Sequence, residues 1–176
     1  VVTLAEESDS EGRPLAAVAL ARALANRDRT VVLVDLHADG ANELAMGEAP
    51  TLVGFADLLA GEASFAQALF RDRRSRTHFI PAGSRAVNPA MLAGERLSTL
   101  LTALDHTYDH VVIDCPDDTI ARMAIGADAA LVASEFASTD PRTVRAVARI
   151  ARASDAHIFY LLVEPDRRAP ERAEAA

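Results

Sequence analysis

The chain has 176 residues, half of them hydrophobic, a formal net charge of −8 at pH 7 and one cysteine. This length suffices for one domain with a real core and is too short for two, and the negative charge argues against nonspecific nucleic-acid binding, which depends on neutralising phosphates. The single Cys115 excludes an internal disulfide and a zinc site built from cysteines, and it fits a reducing compartment, so we expect a cytoplasmic location.

Membrane and targeting signals are missing from this stretch of sequence. No apolar run approaches the roughly 20 residues that a membrane helix needs, and no charged and then apolar signal segment opens the chain. We therefore expect a soluble segment that does not insert into a membrane directly. The chain starts without Met, so upstream sequence, a membrane-spanning part included, can lie outside it.

Residues 1–24 predict a buried strand, a polar turn and an amphipathic helix, the arrangement in which P-loop proteins bind phosphate. The second glycine of the pattern GxxxxGKS/T falls on Gly12, but Arg13 and Pro14 follow it in place of Lys and Ser or Thr. Arginine can still bind a phosphate oxygen, whereas proline offers neither a hydroxyl for magnesium nor an N–H for phosphate. The chain contains no lysine that could take over.

The turn after the first strand is acidic and carries four carboxylates, Glu6, Glu7, Asp9 and Glu11. Because like charges repel strongly in a partly desolvated site, this loop is unfavourable for a triphosphate. The helix signal persists, since Pro14 suits the first helical position. Five residues then follow at helical spacing, Leu15, Val18, Ala19, Arg22 and Ala23.

Two apolar runs each end in an aspartate. Residues 30–40 contain a Val- and Leu-rich strand that ends in Asp35, and ligands collect at the carboxyl edge of a buried parallel sheet. A helix cap or turn former is the alternative interpretation of Asp35. Residues 109–118 predict a second buried strand that ends in Asp114, followed by Cys115. This pattern is typical of a Walker B strand, whose carboxylate holds the magnesium shell through water.

The segment between these two strands predicts scaffolding. Residues 51–59 and 64–70 read as short helices, with Thr51 and Ser64 as N-caps. The run RDRRSR at 71–76 predicts a solvated helix end and loop, and an anionic partner is the alternative.

A short strand at 77–81 and a helix at 91–108 complete this part. The helix carries an apolar face formed by Leu92, Leu97, Leu100, Leu101 and Leu104.

The last part of the chain predicts a strand at 129–134, a helix at 141–153 that Ser138 or Thr139 begins, and a closing strand at 157–163. Four arginines of that helix share one face by their spacing, and a solvated face is the interpretation that we prefer: Arg142, Arg145, Arg149 and Arg152. Residues 1–164 would form the domain and 165–176 a flexible polar tail.

Strands and helices alternate along the whole chain, which predicts an α/β fold: a mostly parallel sheet between two layers of helices, as in P-loop NTPases. Gly12, Asp35 and Asp114 would then converge at one edge of the sheet. The five histidines show no ligand spacing, so we do not expect metal binding through them. His37 is the one expected near Asp35, and Cys115 is expected in the core rather than as a nucleophile.

Four stretches carry a resemblance to a known family, in this order: LARALANRDRTVVLVD, LLAGEASFAQAL, IPAGSRAVNPAML and TYDHVVIDCPDD. They resemble the cytoplasmic domain of bacterial tyrosine kinases and polysaccharide copolymerases that control exopolysaccharide or capsule chain length, within the MinD/ParA-like P-loop ATPases. The resemblance covers residues 1–163. It implies a P-loop NTPase-like fold and an ATP- and magnesium-dependent tyrosine kinase.

The family's site residues fall on this sequence with several replacements. The resemblance puts the Walker A Lys on Arg13 and its Ser or Thr on Pro14, so that Gly12 and Arg13 are what is left of the phosphate loop. The two acids of the Asp-x-Asp motif fall on Asp35 and His37, and the Walker B Asp is Asp114. The Asn on the adenine side falls on Glu164. The phosphorylated tyrosine-rich tail has no counterpart, since the chain has two tyrosines, Tyr108 and Tyr160, in expected structural positions.

These replacements favour a noncatalytic, kinase-like domain that regulates or scaffolds exopolysaccharide biosynthesis or export, without a bound cofactor. Its partner would be a membrane polysaccharide copolymerase or a paralogue at the inner face of the membrane, and a homo-oligomer is open. An active kinase or ATPase with ATP and with magnesium at Asp35 and Asp114 is the first alternative. A ParA- or MinD-like positioning ATPase is the second. The acidic balance does not suit DNA, and the tail lacks an apolar membrane-targeting face.

Overall fold

The computed structural model describes residues 1–7, 15–26, 28–47, 53–83 and 85–163. The predicted phosphate-loop residues Gly12, Arg13 and Pro14 lie outside these ranges, as do the predicted N-cap Thr51 and the adenine-side Glu164. No helix of the described part is long and apolar enough to cross a membrane.

The described residues form one seven-stranded sheet in the order β3-β4-β2-β5-β1-β6-β7. Its strands are β1 (Val2–Glu7), β2 (Val31–Asp35), β3 (Phe70–Arg71), β4 (His78–Ile80), β5 (His110–Cys115), β6 (Ala129–Ser134) and β7 (His157–Leu162). The strands pair in parallel except for β3, which runs antiparallel to β4 at one end of the sheet. The predicted α/β class with a mostly parallel sheet is confirmed.

Helices cover both faces of this sheet. They are α1 (Ala16–Ala25), α2 (Ala41–Met46), α3 (Phe55–Ala60), α4 (Phe65–Ala68), α5 (Pro89–Leu92), α6 (Glu95–Thr107), α7 (Ile120–Met123) and α8 (Pro141–Ala153). The alternation of β2 shows how the two layers arise: Leu33 packs into the core on the α1 side, whereas Val34 packs into the core on the α3 and α6 side. All five residues of β2 are buried, as a central parallel strand requires.

Several predicted helices differ from the observed ones. The buried residues of α1 are Ala16, Ala17, Val18, Ala21 and Ala25. Of the five residues predicted at helical spacing only Val18 is buried, whereas Leu15 and Ala19 are exposed. The helix predicted over 51–59 begins at Phe55, because the extended Gly54 precedes it.

The predicted helix over 91–108 is two helices, α5 and α6, separated where Gly94 adopts an extended conformation. Its apolar face is confirmed, since Leu92, Leu97, Leu100 and Leu104 are buried. The N-cap of α8 is Asp140 rather than Ser138 or Thr139, because its carboxylate accepts the Arg142 N–H at 2.9 Å.

Strand β3 contradicts the prediction that 64–70 is helical throughout. Helix α4 ends at Ala68, and Phe70 and Arg71 pair with Phe79 and His78 of β4. The segment that follows is held by tertiary contacts: Asp72 is buried, and its backbone N–H donates to the carbonyl of Thr77 at 2.9 Å. A reversal of the chain therefore replaces the predicted helix end.

Candidate functional site at the carboxyl edge of the sheet

Strand register brings the two predicted aspartates together. Asp35 and Asp114 are paired residues at the ends of the neighbouring strands β2 and β5, and both are fully buried. The pairing continues one residue further, since the Leu36 N–H donates to the carbonyl of Asp114 at 3.0 Å. The expected convergence of these two carboxylates is therefore present, whereas the expected third member, Gly12, lies outside the described residues.

Both oxygens of the Asp114 carboxylate are contacted by polar side chains of the β2–α2 region. The Asn42 side-chain amide donates to Asp114 Oδ2 at 2.8 Å, and His37 Nε2 lies 3.4 Å from Asp114 Oδ1. Asn42 is fully buried and the His37 side chain is 16% exposed. The His37 contact is an ion pair when the imidazole is protonated, and it confirms the expectation that His37 lies at this edge.

Asp35 takes part in the local turn as well as in the site. Its Oδ1 accepts the His37 backbone N–H at 2.8 Å, the two-residue pattern by which aspartate stabilises a turn. The two interpretations of Asp35 are thus compatible, because one carboxylate can form the turn and still lie beside Asp114. The turn also directs His37 towards the Asp114 carboxylate.

Asn42 and Glu43 are the site residues that the sequence did not indicate. Both are on α2, which begins after Gly40 in the left-handed conformation (φ 74°), and Glu43 is only 4% exposed. A buried acid and amide so close to a turn are unusual for a surface helix, because polar groups this buried need partners. The signal that could have found them is the sequence GANE, a glycine followed closely by two polar residues, which begins five residues after Asp35.

A magnesium ion is implied by the P-loop fold, and the described residues can be tested for it. Magnesium prefers oxygen ligands in octahedral geometry. The Asn42 amide points an N–H group at Asp114 Oδ2, and His37 brings an imidazole nitrogen to 3.4 Å from Asp114 Oδ1. The parts of the chain that the structure describes contain no group of three His, Cys, Asp or Glu that could hold a metal ion. Asn42 and His37 therefore present nitrogen groups to Asp114, not the oxygen ligands that magnesium prefers.

Cys115 does not offer a second reactive group. It is fully buried, its Sγ lies 3.6 Å from the carbonyl of Ile113, and burial raises the pKa of the thiol well above its usual range, with the Asp114 and Asp35 carboxylates adding to the effect. The thiol is thus kept protonated, and the expectation that Cys115 is a core residue is confirmed.

The comparisons with known proteins agree with this architecture. No protein-family model matches the chain. The succinoglycan biosynthesis transport protein ExoP of Rhizobium meliloti is 26% identical over 153 residues, which cover 82% of this chain and 20% of that protein. The chain spans 20% to 47% of the lengths of the first curated relatives that it matches.

Solved structures give the same fold. The kinase domain of VpsO superposes with a TM-score of 0.78 at 24% identity, over 93% of this chain and 83% of that one. The kinase domain of the Escherichia coli tyrosine kinase ETK gives 0.77 at 19% identity, over 99% and 70%. A plasmid partition protein from Borrelia burgdorferi gives 0.70 at 14% identity, over 97% and 83%. The chain thus has the P-loop NTPase-like fold of bacterial tyrosine kinase domains and resembles a protein of exopolysaccharide biosynthesis and transport.

Proposed function

We propose that this chain is a noncatalytic, kinase-like P-loop domain that regulates or scaffolds exopolysaccharide biosynthesis or export. The observation that carries the proposal is the engagement of Asp114 by Asn42 and His37. In an active P-loop enzyme the corresponding carboxylate serves the magnesium shell. Here the Asn42 amide of α2 donates to one of its oxygens, and the His37 imidazole lies 3.4 Å from the other.

The sequence of the phosphate loop supports the same conclusion. Phosphoryl transfer relies on a metal ion and on positive charge to stabilise its transition state. Arg13 retains one positive charge, but Pro14 removes the hydroxyl that ligates the metal, and His37 replaces an acid. A fold kept while its chemistry lapses is common among widely used folds.

The partner in this proposal is another protein of polysaccharide export. ExoP is by name a transport protein of succinoglycan biosynthesis, and the chain corresponds to a fifth of its length. A membrane copolymerase or a catalytically competent paralogue at the inner face of the membrane would therefore be the partner. The vestigial site would contribute shape to the complex rather than chemistry.

An active ATP-binding kinase or ATPase is the second candidate function. The pairing of Asp35 with Asp114 at the carboxyl edge favours it, because two buried carboxylates there are what a nucleotide and its metal would use. A ParA-like positioning ATPase shares the fold, as the plasmid partition protein does. The net charge of −8 disfavours the DNA binding on which such positioning depends.

Isothermal titration of the purified chain with millimolar ATP and ADP, with and without magnesium, tests the proposal. We expect no saturable binding by the natural protein. We expect binding in a variant that carries Arg13→Lys, Pro14→Ser and His37→Asp, since it restores the lysine, the hydroxyl and the second acid. The matched control adds Asp114→Asn to that variant and should remove the magnesium dependence. Saturable, magnesium-dependent binding by the natural protein would overturn the proposal in favour of an enzyme.

A further inference from the structure

Helix α8 presents a row of four arginines along a groove. Arg142, Arg145, Arg149 and Arg152 line it together with Ala148 and Asp117, and its volume is about 340 Å³. The prediction that these arginines share one face is confirmed. We call these four side chains the α8 arginine row.

Two members of the row are held in place by neighbouring groups. The Arg149 guanidinium pairs with Asp117 in the turn after β5, and both side chains are about half-buried. The Arg142 guanidinium donates to Asp140 at 3.0 Å and lies 3.3 Å above the centroid of the Phe136 ring. Such contacts restrict the side chains, so less conformational freedom is lost when a ligand binds.

The other two members face solvent. Arg145 and Arg152 are exposed, and neither takes part in an ion pair with a described residue. The row therefore concentrates four positively charged side chains on one helix face of a chain whose net charge is −8.

The geometry of the row selects the class of ligand. From Arg142 to Arg152 the helix rises about 15 Å, the length of four or five residues of an extended peptide at roughly 3.3 Å each. A single small anion would need the guanidinium groups to converge, whereas the four arginines are attached to the helix along that whole length. Guanidinium groups pair with carboxylates in a bidentate manner, and the small Ala148 side chain leaves space between them.

We propose that the α8 arginine row is a docking surface for an acidic, Asp- and Glu-rich segment of a partner protein. Extended nucleic acid would reach beyond the row. Its further phosphates would there meet a chain whose net charge is −8, which repels them. The inference goes beyond the proposed function, because the row binds its partner whether or not the vestigial site accepts ATP.

Fluorescence anisotropy with a labelled decapeptide of alternating Glu and Gly tests the proposal, in nucleotide-free buffer. We expect saturable binding to the natural chain and none for the matching Gln and Gly peptide. Arg145→Gln with Arg152→Gln should weaken binding about tenfold, since two exposed charge pairs with the peptide are lost. The control variant, Arg74→Gln with Arg76→Gln, removes the same charge from exposed positions elsewhere and should change binding less than about twofold.

Two further arms make the test decisive. Arg145→Lys with Arg152→Lys keeps the charge and loses the fork, so we expect binding intermediate between the natural chain and the Gln variant. Circular dichroism should show the same melting transition for all variants. Equal losses in the Gln variant and its control would overturn the proposal, as would undiminished binding in the Gln variant. Tighter binding of a ten-nucleotide single-stranded DNA than of the acidic peptide would replace the protein partner with nucleic acid.

Discussion

Arg22 and Asp72 form an ion pair that joins α1 to the segment after β3. Arg22 donates to the two oxygens of Asp72 at 2.8 and 2.7 Å and to the carbonyl of Ala45 at 2.7 Å. The Asp72 side chain is fully buried, so it has exchanged water for these contacts and for a hydrogen bond from Ser75. A buried carboxylate without its cation is costly because its desolvation is no longer offset.

Replacing Arg22 by Met should therefore destabilise the fold by about 2–3 kcal/mol, since Met keeps the apolar stem and removes the charge. Urea unfolding at pH 7 measures the difference. The control is Arg76→Met, whose partner Asp28 is 95% exposed, and we expect a change within about 0.5 kcal/mol there. Equal effects of the two substitutions would show that burial does not govern the Arg22 pair.

Asn42 offers a second prediction at this scale. Asn42→Asp puts a carboxylate where an amide now donates to buried Asp114 at 2.8 Å, so a hydrogen bond is exchanged for like-charge repulsion. We expect a loss of about 2–3 kcal/mol in unfolding free energy at pH 7, measured by urea titration. Asn88→Asp is the matched control, because exposed Asn88 accepts the Met91 N–H at 3.0 Å and aspartate caps a helix equally well. An unchanged unfolding free energy in the Asn42→Asp variant would mean that Asn42 does not stabilise the fold through its contact with Asp114.

At the scale of the elements, the start of α3 is fixed against the end of β4. The N–H groups of Phe55 and Ala56 donate to the carbonyls of Pro81 and Ala82 at 2.7 and 3.1 Å. This approach leaves no space at Gly54, where an added Cβ would lie 2.3 Å from both the Gly83 nitrogen and the Pro81 oxygen.

Gly54→Ala should thus lower the free energy of unfolding by about 3 kcal/mol, because the start of α3 and the segment after β4 would have to move apart. Thermal unfolding followed by circular dichroism measures it. Gly94→Ala, before α6, is the control: an added Cβ there lies 3.7 Å from the nearest atom, the Met91 carbonyl oxygen, which is ordinary van der Waals contact. We expect a change within about 1 kcal/mol at Gly94. A mild effect at Gly54 would mean that the loop after β4 yields easily.

The main strands could be predicted from the sequence because their apolar runs are long and end in clear turn signals. VVLVD and HVVIDC gave β2 and β5 nearly to the residue, and their register followed from parallel pairing. The two-residue β3 has no periodicity of its own and depends on β4 and on the buried Asp72. Helix α2 is six residues long, too short for a helical pattern, and Asn42 was missed with it.

The two carboxylates of the candidate site could be predicted from the sequence, but the side chains that contact them could not. Asp35 and Asp114 follow apolar strands, so elementary topology brings them together. The contacts that His37 and Asn42 make with Asp114 depend on the turn after β2, whose geometry is set by an Asp35 hydrogen bond and by Gly40 in a left-handed conformation. No local sequence pattern predicts a contact across 72 residues.

At the scale of the whole molecule, each face of the sheet has one buried carboxylate that holds a helix of that face in place. Asp57 of α3 accepts the Gly54 N–H and an Arg85 N–H, both at 2.9 Å, whereas Asp72 holds Arg22 of α1 on the other face. Burial by itself would raise the pKa of each carboxyl. The hydrogen bonds and arginines outweigh burial, so that the pKa of both Asp57 and Asp72 is lowered.

Lowering the pH should therefore weaken the attachment of both helical layers at the same time. A carboxyl whose pKa is lower in the folded state stabilises the fold fully above its unfolded pKa, about 3.9, and this contribution is lost as the pH falls through the folded value. We expect the unfolding free energy in urea to drop between about pH 4 and pH 2. The variant with Asp57→Asn and Asp72→Asn should be less stable at pH 7 and should lose less over that acid range. If the unfolding free energies of the variant and the natural chain fall in parallel with pH, the acid sensitivity lies elsewhere. If the two curves converge as the pH falls, these two carboxylates are the groups whose protonation releases α1 and α3 from the sheet.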